Sequence, residues 1–88
     1  MKVEFRDSFV KDLKSVKDKG VLKRLREAIE AIEKAHSLTE VPHSKKLKGG
    51  GSYFRLRVGD YRVGVALEND IVIFVCFLNR KDIYKYFP

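Results

Sequence analysis

The stretch that most constrains this chain runs from Tyr53 to Leu67, "YFRLRVGDYRVGVAL". Apolar and polar side chains alternate on both sides of Gly-Asp, a dipeptide suited to a two-residue hairpin turn. With Gly59 and Asp60 as the loop, Val58 pairs with Tyr61, Arg57 with Arg62, and Arg55 with Gly64. The period of two puts Phe54, Leu56 and Val58 on one face and all three arginines on the other. Like charges directly opposite in a sheet cost up to about 1 kcal/mol, so the fold gains nothing from this face unless an anion completes it. Gly64, with no side chain, leaves room beside Arg55 for a ligand to approach the backbone.

The flanking segments supply the rest of a fold. "KVEF" alternates and reads as a first strand. Asp7 or Ser8 offers an N-cap, and Phe9, Val10, Leu13 and Val16 follow at helical spacing. "KDKG" closes that helix, with Gly20 as its C-cap. In the second helix Val21, Leu22, Leu25, Ala28, Ile29, Ile32 and Ala35 form one apolar stripe. Lys23, Glu27, Glu30, Glu33 and Lys34 face away from it. Periodicity then disappears between Ser37 and Gly51, Pro42 ends any helix, and "KKLKGGG" reads as an exposed basic loop. After the hairpin, "END" makes a turn and "IVIFVCFL" is apolar throughout, as a strand covered on both sides would be. "NRKDIYKYFP" reads as a short helical turn or an extended end.

The sum is an α+β domain over residues 1–88 with the order β-α-α-β-β-β. An N-terminal strand and an αα-hairpin pack on one face of a small, mainly antiparallel sheet, followed by a short C-terminal tail. The other face is expected to be free.

Charge narrows the function classes. Lys and Arg outnumber Asp and Glu 19 to 12, a formal +7, which favours anionic partners. The basic loop adds Lys45, Lys46 and Lys48, and Tyr53, Tyr84 and Tyr86 add aromatic rings. Guanidinium groups take phosphate bidentately and rings stack on unpaired bases, a combination that fits single-stranded RNA better than duplex DNA. No apolar run reaches the roughly 18 residues of a membrane span, and the first residues carry no secretory signal. The lone Cys76 lies in the apolar run and is expected to be a buried thiol, in keeping with a reducing cytosol. His36 and His43 are read as surface residues with no Cys or Glu at metal-ligand spacing, and neither a metal nor a cofactor is expected. With no Ser-His-Asp set, Cys-His pair or P-loop, any chemistry must run on Arg, Lys and Tyr. RNA cleavage suits that set, because the substrate's own 2′-hydroxyl is the nucleophile. The protein then supplies charge for the transition state and groups that carry protons.

These residues also carry a resemblance. "KLKGGGSYFRLRVGDYRVGV", an apolar strand, then "NRKDIYKYF" resembles the RelE/ParE superfamily of type II toxins, over essentially the whole chain. The resemblance implies a RelE-type toxin that cuts mRNA in the ribosomal A site, working in the cytoplasm. Carried over by position, Arg55, Arg62, Arg80 and Tyr84 are the implied catalytic residues. Arg57 matches a further basic position of that face. Lys46, Lys48, Tyr53, Lys81 and Tyr86 join it as RNA-binding residues. Many relatives have His where this chain has Asn79, so the implied proton donor becomes Tyr84 or a lysine. The resemblance further implies a cognate antitoxin, acidic and partly disordered, covering the basic face. It also admits ParE-type members, which poison DNA gyrase without cutting RNA, and relatives that only bind antitoxin.

Overall fold

The structure is a computed structural model and describes residues 1–49 and 51–88. Strand β1 (Lys2–Phe5) leads into helices α1 (Asp7–Lys14) and α2 (Lys19–Lys34). A 3-10 turn (Leu38–Glu40) precedes strands β2 (Ser44–Lys46), β3 (Tyr53–Val58), β4 (Tyr61–Glu68) and β5 (Ile71–Asn79), and a short helix, α3 (Ile83–Tyr86), follows. The five strands form one sheet in the order β1-β5-β4-β3-β2, with β1 parallel to β5 and every other pair antiparallel.

The expected α+β order holds, with three corrections along the chain. Gly20 does not cap α1, which ends at Ser15. Instead the Asp18 carboxylate accepts from the backbone N–H groups of Gly20 and Val21, so "KDKG" is the start of α2 rather than the end of α1. Nor is the segment before Gly51 wholly loop. Ser44–Lys46 adds an edge strand to β3, a piece of only three residues and so too short to show periodicity in the sequence. For α1, neither Asp7 nor Ser8 is the N-cap. Arg6 holds that position, and the Ser8 hydroxyl donates to the Val75 carbonyl instead.

That bond belongs to a device in β5. Gly64 pairs with Cys76 but Val65 pairs with Phe74, leaving Val75 as an extra residue, a β-bulge. The bulge shifts the alternation by one, so Phe77 joins Val72 and Phe74 on the helix side while Cys76 faces away. Both backbone groups it exposes are satisfied from α1, by Ser8 at the Val75 carbonyl and by the Asp12 carboxylate at the Phe77 N–H, 3.0 Å away.

The main core lies between the helices and that face of the sheet. Phe9, Val21, Leu25 and Ile32 pack on Phe54, Leu56, Val63, Val65, Val72 and Phe74, all buried. Amphipathic stripes of this kind, and not intrinsic propensity, hold such helices. The opposite face is not free as expected. Cys76, Ile83 and Phe87 form a second, smaller core there, with Leu47, Tyr53, Val75 and Leu78 packed around it.

Candidate nucleic-acid interface

Both hairpin turns obey their sequences. Gly59 alone takes positive φ (60°) in the β3–β4 loop, the pattern of a type II′ turn with glycine first. Asn69 and Asp70 both take positive φ (51° and 65°) between β4 and β5, as a type I′ turn requires. The resulting β3–β4 register is the one expected: Val58 faces Tyr61, Arg57 faces Arg62, and Arg55 faces Gly64.

Strand β2 extends this face by one more strand. Lys45 stands opposite Arg55, and the Arg57 N–H donates to the His43 carbonyl at 3.1 Å. Two rows result across β2, β3 and β4. One row runs His43, Arg57, Arg62 and the other Lys45, Arg55, Gly64. Together with Ser44 and Tyr84, the side chains of these rows line a hollow of about 360 Å³. Among the described residues the single salt bridge is Arg6 with Glu68, remote from the hollow, so no carboxylate neutralises its four cations.

Several of these groups are held in place. The Arg62 guanidinium donates through Nη1 to the carbonyls of Gly59 (3.0 Å) and Tyr61 (2.9 Å), which anchors it to the turn. The Arg57 guanidinium nitrogen Nη2 lies 3.3 Å from His43 Nδ1. Arg55 lies under the Tyr84 ring, its guanidinium carbon 4.5 Å from the ring centroid, within cation–π range.

Tyr84 reaches the hollow because its helix is anchored from behind. A four-residue helix does not persist alone in water. Ile83 and Phe87, on either side of Tyr84, are both buried, each worth roughly 1.5–3 kcal/mol. The cation–π contact adds only about 0.5–1 kcal/mol at an exposed ring. Burial therefore decides where the tail lies, and Tyr84 stays 67% exposed above the arginines. Phe87 occupies the space that Gly64 was expected to keep open for a ligand: a Cβ at Gly64 would sit 2.7 Å from the Phe87 ring and 2.7 Å from Cys76 Sγ. The glycine makes room for the protein's own tail.

The remaining candidates are dispersed. Arg80 lies outside the hollow, lining an adjoining groove of about 660 Å³ between α2 and the β3–β4 turn, which Arg57 and Arg62 also border. Tyr53 is half-buried, its ring edge-on to Phe87 at 5.6 Å, so its contact is with the tail. Tyr86 is 71% exposed and stands apart from the second core, whose tail aromatic is Phe87. Lys46 pairs with Phe54 and so belongs to the opposite strand face from Lys45. Lys48 and Lys81 are exposed and outside the hollow. Asn79 is engaged structurally, its side-chain oxygen accepting from the Lys81 N–H at 3.0 Å to start the tail turn.

Two lining residues escaped the sequence reading. In the sequence Lys45 reads only as part of the basic loop, and His43 as a surface residue. It is exposed, yet it borders the hollow. Recognition of β2 as a strand would have found both, since residues two apart share a face. Cys76 is buried as expected, and burial pushes its thiol up to about 11.

Comparison with known proteins agrees with this geometry. Residues 3–84 match the model of the family described as ParE toxin of type II toxin-antitoxin system, parDE. The chain is 45% identical over 89 residues to Toxin RelE3 of Methanocaldococcus jannaschii, covering 100% of both proteins. It superposes on a chain of the RelB-RelE antitoxin-toxin complex from Methanococcus jannaschii with a TM-score of 0.82 and 42% identity, covering 97% of this chain and 99% of that one. The archaeal RelE-RelB complex from Pyrococcus horikoshii OT3 follows, with a TM-score of 0.74, 26% identity and coverage of 90% and 93%. A sheet face built from hairpin arginines, a helical hairpin behind it and a buried tail in front thus come with sequence identity over the full length, and the chain belongs to the RelE/ParE superfamily of type II toxin–antitoxin toxins.

Proposed function

We propose that this chain is a ribosome-dependent mRNA endonuclease of the RelE kind, acting in the cytoplasm and restrained by an antitoxin. The observation that carries the reading is the hollow itself. It holds four cations, Lys45, Arg55, Arg57 and Arg62, with no carboxylate among the described residues and a tyrosine stacked at its edge. A phosphodiester is the ligand whose charge and size suit it.

The reaction is attack of the 2′-hydroxyl on the adjacent phosphorus. A 2′-O–P bond forms, the P–O5′ bond breaks, and the products are a 2′,3′-cyclic phosphate and a 5′-hydroxyl end. Arg55, Arg57 and Arg62 stabilise the negative charge that accumulates on the phosphoryl oxygens. The Tyr84 hydroxyl gives its proton to the leaving 5′-oxygen, a part Asn79 has no means to play. Arg80, which borders the adjoining groove, and the exposed Lys81 and Tyr86 are assigned to RNA beyond the hollow, as are Lys46, Lys48 and Tyr53. Binding to mRNA alone is weak in this reading, and the ribosome supplies the substrate in position.

For the antitoxin, the groove beside α2 offers an apolar floor from Ala28, Ala31, Val41, Leu56 and Val58 under a rim that includes Arg24 and Arg80. An amphipathic acidic segment complements both, as does the +7 charge of the chain. The relatives solved as RelB-RelE complexes support a partner of this kind.

The test is mRNA mapping on programmed ribosomes with the purified chain. Cuts within the translated frame, ending in 5′-hydroxyls, are expected, with little cutting of free mRNA. The family model's ParE description favours one rival, a toxin acting on gyrase. Intact mRNA together with a DNA-damage response on induction supports that rival and ends the nuclease reading.

A further inference from the structure

Cleavage by 2′-hydroxyl attack also needs a group to receive the hydroxyl proton, and we infer that His43 is that group. The inference rests on the endonuclease reading and goes beyond it. His43 holds a left-handed backbone (φ 65°), uncommon for a residue other than glycine and frequent at functional sites when it occurs. The strand β2 that follows fixes it there, with its carbonyl accepting the Arg57 N–H at 3.1 Å. His43 lines both the hollow and the adjoining groove.

The contact with Arg57 sets the chemistry of the ring. A guanidinium can only donate, so Nδ1, 3.3 Å from Arg57 Nη2, is the acceptor and Nε2 carries the hydrogen in the neutral ring. Arg57 thereby occupies Nδ1 of the ring in the free protein. When a phosphate enters, the guanidinium transfers its hydrogen bond to a phosphoryl oxygen, the stronger acceptor. Nδ1 is then released beside the nucleotide. It takes the 2′-hydroxyl proton as the 2′-O–P bond forms, while Tyr84 protonates the departing 5′-oxygen. The proton held on His43 returns through water to Tyr84, so the cycle is neutral overall.

Charged and titratable groups line the two cavities that His43 borders. From the hollow these are Lys45 on β2, Arg55 and Arg57 on β3, Arg62 on β4 and Tyr84 on α3. From the groove they are Arg24 and Glu27 on α2, Asp60 in the turn and Arg80 after β5. None is a histidine, the side-chain type that changes charge between pH 5 and 8. The chain's other histidine, His36, lies beside Asn69 and Asp70, away from the site.

The experiment is the pH dependence of single-turnover mRNA cleavage on ribosomes, from pH 5.5 to 8.5. It compares wild type, His43→Asn, His43→Gln and His36→Asn, with folding of each checked by thermal unfolding. Asparagine tolerates the left-handed backbone, so His43→Asn keeps the local conformation. The role predicts that wild type gains rate through one inflection in this range. Both His43 variants fall at least 100-fold near neutral pH and lose the inflection. His36→Asn matches wild type in rate and profile. Folded His43 variants cutting within threefold of wild type, or slowed with the inflection intact, overturn proton transfer by His43. No cleavage by wild type overturns the endonuclease reading, and the His43 role falls with it.

Discussion

The guanidinium carbon of Arg55 lies 4.5 Å from the centroid of the Tyr84 ring, joining the third strand of the sheet to the tail of the chain. Twenty-eight residues of sequence lie between the two. The contact is a consequence of the tail's packing, because Ile83 and Phe87 hold α3 far more strongly than one exposed cation–π pair. The ring contact with Arg55 can therefore be separated from the proton transfer proposed for the Tyr84 hydroxyl.

Tyr84→Phe keeps the ring and removes the hydroxyl. Ribosome-dependent cleavage is expected to fall about 100-fold or more, with stability within about 0.5 kcal/mol of wild type. Tyr84→Ala also frees Arg55 and is expected to be less active still. Cleavage by Tyr84→Phe at the wild-type rate, measured in single turnover, would remove the tyrosine from proton transfer and leave it a positioning role.

Gly64→Ala puts a methyl group 2.7 Å from the Phe87 ring and 2.7 Å from Cys76 Sγ. Overpacking of this kind costs about 1–3 kcal/mol, which chemical denaturation will register. The ring has to leave, and Tyr84 leaves with the tail, so growth arrest on induction should be lost as well. In a double-mutant cycle, Phe87→Ala should relieve part of the Gly64→Ala cost. Additive losses would show that Phe87 does not occupy the glycine's space.

Arg57 faces Arg62 across β3 and β4, and among the described residues neither forms a salt bridge with a carboxylate. Arg57→Gln is therefore expected to stabilise the free protein, by up to about 1 kcal/mol at low salt. The same substitution should weaken binding to single-stranded RNA and reduce the slope of log affinity against log salt by about 0.7. A destabilised Arg57→Gln protein with an unchanged salt slope would mean that Arg57 is a structural residue.

Cys76 gives a pH-dependent signature of the second core. Burial raises its thiol from 9.0 to about 11 in the fold. The folded state therefore binds the proton more tightly than the unfolded chain, and the associated stability is complete below pH 9 and lost as pH rises toward 11. Relative to Cys76→Ala, wild type should lose on the order of 1–3 kcal/mol across that window. Parallel stability curves for the two proteins would contradict burial of the thiol. At neutral pH the native thiol should resist alkylation until the chain unfolds.

The sequence by itself determined whatever depends on short range. A two-residue turn and strict alternation specify the β3–β4 register, and with it the arginine face, because every pairing follows from counting outward from Gly59 and Asp60. The stripe of α2 was legible for the same reason, as a period repeated over sixteen residues. Only the tertiary structure decided what stands over that face. β2 is three residues long and exists through its pairing with β3, which is why His43 and Lys45 arrived in the hollow unannounced. The bulge at Val75 depends on Ser8 and Asp12, more than sixty residues away, and the tail depends on a glycine in β4 that accommodates Phe87. Such contacts join residues with no local signature of their partners, so their energy is settled only when the chain closes on itself.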